Sequence, residues 1–143
     1  MKVNILSVSL VAGGLMLAAL PMLAHHSFAA EYDSNKPVTL TGAVTKVEWM
    51  NPHARFYVDV KDEGGKMTNW EFELGSPNGL MRQGWTRNSM KLGDTVVVDG
   101  YLAKDGSKLA NARNVKLADG RRLFAGSTTD GGPTNVPEKG SAK

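Results

Sequence analysis

The sequence contains no cysteine. That excludes disulfides, thiolate metal ligands and a cysteine nucleophile together. Histidine is scarce, with three residues in 143, and two of them, His25 and His26, are adjacent. No charge sign dominates. Lys and Arg number 17 against 14 Asp and Glu, a formal net charge of +3, a mildly basic balance that says little about partners. The sequence also lacks a Ser-His-Asp set in a supporting context, a Gly-rich phosphate loop and carboxylates paired at a recognisable spacing. It therefore favours a binding protein over an enzyme.

What is present begins with an export signal. Lys2 gives a positive start, Ile5 to Leu20 is mostly apolar and uncharged, and Pro21-Met22-Leu23-Ala24 ends in a small residue. Residues 1–24 read as a secretory signal peptide, which implies a periplasmic or secreted protein. The apolar run is too short and too poorly flanked to favour a membrane span, with an uncleaved anchor as the alternative. Cleavage after Ala24 frees His25 as the first residue; cleavage after Ala29 would remove both leading histidines.

Residues 25–37 have no clean period, and Asp33-Ser34-Asn35 with Pro37 signals a turn, so they read as an arm. Val38 to Trp49 is β-branched, with Val38, Leu40 and Val44 on one face. Its alternation slips near Gly42 or Thr45-Lys46, where a bulge or bend is expected. Phe56, Val58 and Val60 alternate with polar partners, and Asp62-Glu63-Gly64-Gly65 is a hairpin turn into Trp70, Phe72 and Leu74. Glu71 and Glu73 fall on the opposite, wet face. Ser76-Pro77 is a helix start, with Leu80, Met81 and Trp85 placed to cover one end of the sheet. Thr95 to Leu102 and Leu109 to Leu117 are two further strands, and Ala118-Asp119-Gly120 turns into a short hairpin at Arg121 to Phe124. From residue 125 to 143 the composition has almost nothing to bury and reads as a disordered tail. Three strands, a short helix and two strands predict an all-β domain over 38–124: a five-stranded OB-fold-like Greek-key barrel.

His25-His26-Ser27-Phe28, Trp49-Met50-Asn51-Pro52-His53-Ala54 and Glu71 through Leu80 resemble a family of small exported bacterial proteins known as a domain of unknown function. The resemblance spans nearly all of the chain after the signal. It implies no activity. The strand order is similar to that of periplasmic bacterial OB-fold proteins.

A candidate site follows from where the histidines fall. A chain beginning at His25 offers an α-amine and an imidazole to one metal, and a second imidazole would complete a histidine brace, which favours copper, with zinc as the alternative. This resembles the copper-binding amino termini of certain oxidases and copper carriers. His53, after the Asn51-Pro52 turn, is the expected partner and His26 the substitute. An extended arm reaches on the order of 40 Å, so doubling back at Pro37 would bring His25 level with Trp49. Met50 could add a thioether, and Glu31 or Asp33 an oxygen. The expected role is metal delivery or buffering with an envelope metal-handling partner, with a brace oxidase as a lesser variant. The bland alternative makes the leading histidines solvated tail. The runner-up function is a metal-free module taking a small ligand, glycan or protein on a face of Trp49, Asn51, Arg55 and Tyr57. Nucleic acid is not expected, because arginines such as Arg82, Arg87 and Arg113 are interspersed with acids.

Overall fold

The computed structural model describes residues 27–136. The expected signal, His25, His26 and residues 137–143 lie outside that range. Mostly β sheet, the chain runs α1 (Phe28–Glu31), β1 (Tyr32–Glu48), β2 (Arg55–Lys61), β3 (Met67–Glu73), α2 (Pro77–Arg82), β4 (Thr95–Ala103), β5 (Leu109–Lys116) and β6 (Arg122–Phe124). The hydrogen-bonded order is β3-β2-β1-β4-β5-β6, with a further parallel pairing of β3 to β5. That pairing closes five strands into a ring, and β6 adds to the outer edge of β5. No helix among the described residues is long and apolar enough to cross a membrane.

β1 takes part in two sheet halves because it is long, at 17 residues, and bends. Its first half pairs with β4 and its second with β2, sharing Gly42 and Ala43 between them. The register with β2 slips between Val44 and Lys46. The extra residue there is Thr45, so the bulge sits at one of the two expected places and turns the strand. Gly42 is needed for a different reason. A Cβ at that position would stand 2.1 Å from the Asp59 carbonyl oxygen, so only glycine lets β2 approach this closely.

The interior follows from alternation. Phe56, Val58 and Val60 of β2, Phe72 of β3, Val96 and Val98 of β4, and Ala110, Ala112 and Val115 of β5 all face inward and are buried. Phe56 and Phe72 are register partners whose rings stack 5.1 Å apart. α2 begins where expected: Ser76 accepts the Gly79 amide at 3.2 Å and Pro77 follows as the first helical residue. Leu80 and Trp85 cover the core, but Met81 is 51% exposed. The helix has only six residues, so its single buried stripe has no room for two adjacent side chains.

Two expectations about the ends are corrected. Pro37 does not reverse the chain; it lies within β1, paired with Tyr101. Before β1, α1 places Phe28 against Tyr101 of β4 and Arg113 of β5. Residues 125–136, read as disordered tail, pack as well: Ala125 joins the core inside the ring, and the segment after it runs to Val136 on the outer surface. Ala125 is fully buried, the Gly75 amide donates to its carbonyl, and the Tyr101 hydroxyl donates to the Asn135 carbonyl at 2.9 Å. Phe28, Tyr32, Tyr101 and Ala103 thereby form a second, smaller core outside the ring.

Candidate functional site around His53

The turn after β1 sets the first residue. Asn51-Pro52 is exposed and joined by a cis bond, and the chain then enters β2 through His53 and Ala54. Ala54 exchanges two backbone hydrogen bonds with the Leu74–Gly75 segment, which anchors His53 beside the end of β3. There His53 Nδ1 lies 3.0 Å from the Leu74 carbonyl oxygen and 3.4 Å from Glu73 Oε1. A carbonyl only accepts, so Nδ1 carries the hydrogen, and whenever the ring is neutral the lone pair resides on Nε2. Imidazoles that bind metals are commonly oriented in this way, by a carbonyl or carboxylate behind the ring.

Glu73 is the centre of the arrangement. It stands opposite Arg55 on β2 and Asn111 on β5, all three on the outward face. Arg55 donates to Glu71 at 2.6 Å and reaches Glu73 at 3.4 Å. Glu73 is nonetheless buried, contrary to the wet face expected, because Tyr32 and the outer layer cover it. Burial raises its pKa; the charges of His53 and Arg55 pull the other way without cancelling this, and Glu31 adds to the rise. The Tyr32 hydroxyl is raised as well, first by burial and then by the Glu73 and Glu31 charges. It lies in the field of the Glu73 carboxylate without completing a hydrogen bond of ordinary geometry.

Next to His53 is an open cleft of about 330 Å³, lined by Ser27, Pro52, His53, Ser76, Ser127, Thr129 and Asp130. Ser27 directly follows His26 in the chain, so the start of the described residues and the lone downstream histidine share one cleft.

The other expected residues are dispersed. Asp33 sits on a separate cleft with Phe28 and Lys104, accepts the Asn35 amide and lies 3.9 Å from Lys36. An aspartate bonding the amide two residues on is a turn device, which explains its position. Met50 is exposed. Glu31 is close enough to Glu73 for their charges to interact. Of the proposed ligand face, Trp49 packs against the core and Arg55 is tied to Glu71 and Glu73. Tyr57 donates to Glu48 at 3.2 Å and takes Lys46 over its ring. Trp49 and Arg55 border an apolar slot of only about 10 Å³, room for roughly one water. Among the described residues no three His, Asp or Glu side chains are grouped to hold a metal.

Sequence pattern alone misplaces two residues of this region. Strand alternation alone puts Glu73 in solvent; the hairpin register, which sets it opposite Arg55, is the signal that corrects it. Arg113 differs from Arg82 and Arg87, which are exposed. It is completely buried, and nothing in its local pattern distinguishes it.

Comparison with solved structures finds similarity to the N-terminal domain of the PriB protein from Thermoanaerobacter tencongensis, described as a dimeric structure. The TM-score is 0.39 and the identity 18%, over 58% of this chain and 96% of that one. Among curated proteins nothing matches the chain. A family model described as a family of unknown function (DUF6152) matches residues 13–112, more than half of the chain, and the chain belongs to that family.

Proposed function

We propose that the protein is an exported, OB-like Greek-key barrel that binds copper for delivery or buffering in the cell envelope. The ligands are the amine and imidazole of His25, after cleavage behind Ala24, and Nε2 of His53, with His26 as the substitute and zinc as the alternative metal. One observation carries the reading: Ser27 and His53 line the same cleft. From Ser27 to His25 is two residues, a span of at most about 7 Å, which leaves the chain length needed for a leading histidine and that ring to share one metal. The donor chemistry fits, because the Leu74 carbonyl fixes the His53 tautomer with its lone pair on Nε2. Bound copper would supply a cationic, redox-capable centre. The chain's own part is to present three nitrogens and hold the ring in place.

The test is electron paramagnetic resonance of the Cu(II) protein purified after export, with its intact mass measured on the same sample. Coordination by three nitrogens is expected, falling to two in His53→Ala. Identical spectra for the two proteins, or a mass showing a start at Ala30, would sink the assignment.

The hydroxyls of Ser27, Ser76, Ser127 and Thr129 in the cleft favour a second reading, a metal-free module for a small polar ligand, glycan or partner protein. In that case copper is not retained against a weak chelator.

A further inference from the structure

The two ends of the described chain are held together by one buried cation. Arg113, on the outer face of β5, is completely buried. Its Nη2 donates to Asp130 Oδ2 at 3.0 Å and its Nη1 to the Ser127 carbonyl at 3.2 Å. The guanidinium also lies 4.7 Å from the centre of the Phe28 ring. Asp130 uses its remaining groups on both ends of the described residues. Oδ1 accepts the Gly132 amide at 2.9 Å, and the main-chain carbonyl accepts the Phe28 amide at 3.0 Å. At Gly132 the backbone lies flush on the pair: a Cβ there would stand 1.8 Å from Arg113 Nη2 and 2.6 Å from Phe28 Cγ.

This contact solves a physical problem of the segment. Residues 125–136 are rich in Gly, Ser and Thr and bury little apolar surface, so packing alone does not offset the entropy of ordering them. A buried guanidinium must be paired, because an unpaired charge in the interior is strongly unfavourable. Arg113 therefore demands Asp130, and Asp130 brings the Phe28 amide with it. Ser27, Ser127, Thr129 and Asp130 then border the His53 cleft. Both members of the pair lie beyond residues 13–112, the part that matches the family.

We propose that Arg113 and Asp130 are positioning residues: a clasp between the two ends of the described residues that seats Ser27 and Phe28 beside the His53 cleft, making residues 125–136 part of the scaffold of the metal site. The proposal rests on the copper reading given above. Its consequence is quantitative. If the metal-competent state is the clasped one, apparent affinity falls by the same factor as the clasped population. A tenfold loss of clasped molecules gives a tenfold weaker copper complex.

The experiment uses the full exported protein as wild type, Asp130→Ala and Asp130→Asn, with two measurements on each. Hydrogen exchange of the Phe28 amide in the metal-free protein reads the clasp, and Cu(II) competition against a chelator of known affinity reads the site. In Asp130→Ala, Phe28 exchange is expected to rise about tenfold, the scale of one lost charge-assisted hydrogen bond. Copper affinity falls by a similar factor, while the Phe56 and Val98 amides of the ring are unchanged. Asp130→Asn, which keeps the shape and a neutral acceptor, falls between. Faster Phe28 exchange with unchanged copper affinity would overturn the positioning role, and unchanged Phe28 exchange would overturn the clasp itself. If wild type retains no copper while Phe28 exchange still responds, the copper reading fails and the metal role falls with it, leaving a structural clasp.

Discussion

The inner and outer cores of this protein are built on different terms. Inside the ring, phenylalanine, valine, leucine and alanine from five strands interlock, and the buried side chains are apolar. Outside it, Phe28, Tyr32, Tyr101 and Ala103 make a thin layer under α1 and residues 125–136. That layer has Arg113, Asn111 and Glu73 among or beside its buried groups. The inner core gains its stability from area removed from water, which is non-directional and tolerant of exchange. The outer layer gains from a few directional contacts, each of which fails if its partner moves. A closed platform with a cover held by a few contacts is what results, and the His53 cleft is lined by residues of both.

The largest effect should come from breaking the inner core. Phe72→Ala removes a fully buried ring stacked on Phe56, and a cost of about 3–5 kcal/mol is expected in chemical denaturation followed by tryptophan fluorescence. Ring and layer should be lost in one transition, since the layer has nothing else to dock on. Phe28→Ala deletes a ring of similar size, but its contacts are to Tyr32, Tyr101 and Arg113 in the layer. Local undocking limits what the change can cost the whole fold, so the global loss should stay below about 2 kcal/mol. Meanwhile proteolysis within residues 125–136 should accelerate clearly. A global loss as large as that of Phe72→Ala would show that platform and cover unfold as a single unit.

The same contrast explains what could be read from the sequence. Strands of the ring announce themselves because one face is uniformly apolar, as in Phe56, Val58 and Val60, and turns such as Asp62 to Gly65 carry their own chemistry. The slip at Thr45 and the Ser76 cap were legible for the same local reasons. The cover was not. Phe28 and Tyr32 are too few to set a period, and the Gly- and Ser-rich stretch after Ala125 has the composition of a disordered segment. Its order depends on Arg113, a long-range partner that no local pattern announces. Of the expected site residues, His53 was identifiable by its turn. Glu73 behind it required knowing that Arg55 stands opposite and that Tyr32 comes down on top.

Glu73 offers the finest measurement of how the two regions meet. Its carboxyl belongs to a strand of the ring, yet it is the cover that buries it, and burial raises its pKa above the ordinary glutamate value despite Arg55 and His53. An acid whose folded pKa is raised holds its proton longer in the native state than in the unfolded one. Its contribution to stability is therefore complete below the unfolded pKa, roughly 4.3, and is lost as pH climbs through the raised folded value. Glu73→Gln cannot ionise and suffers no such loss. In the metal-free protein the variant should therefore gain on wild type in denaturation midpoint as pH rises from about 4 toward neutrality. If pairing with Arg55 and His53 outweighed burial, the sign would reverse and wild type would gain on the variant instead. Combining Glu73→Gln with Phe28→Ala sharpens the comparison: once the cover is loosened, water reaches the carboxylate, the pKa returns toward its usual range, and the pH-dependent gap between Glu and Gln should shrink.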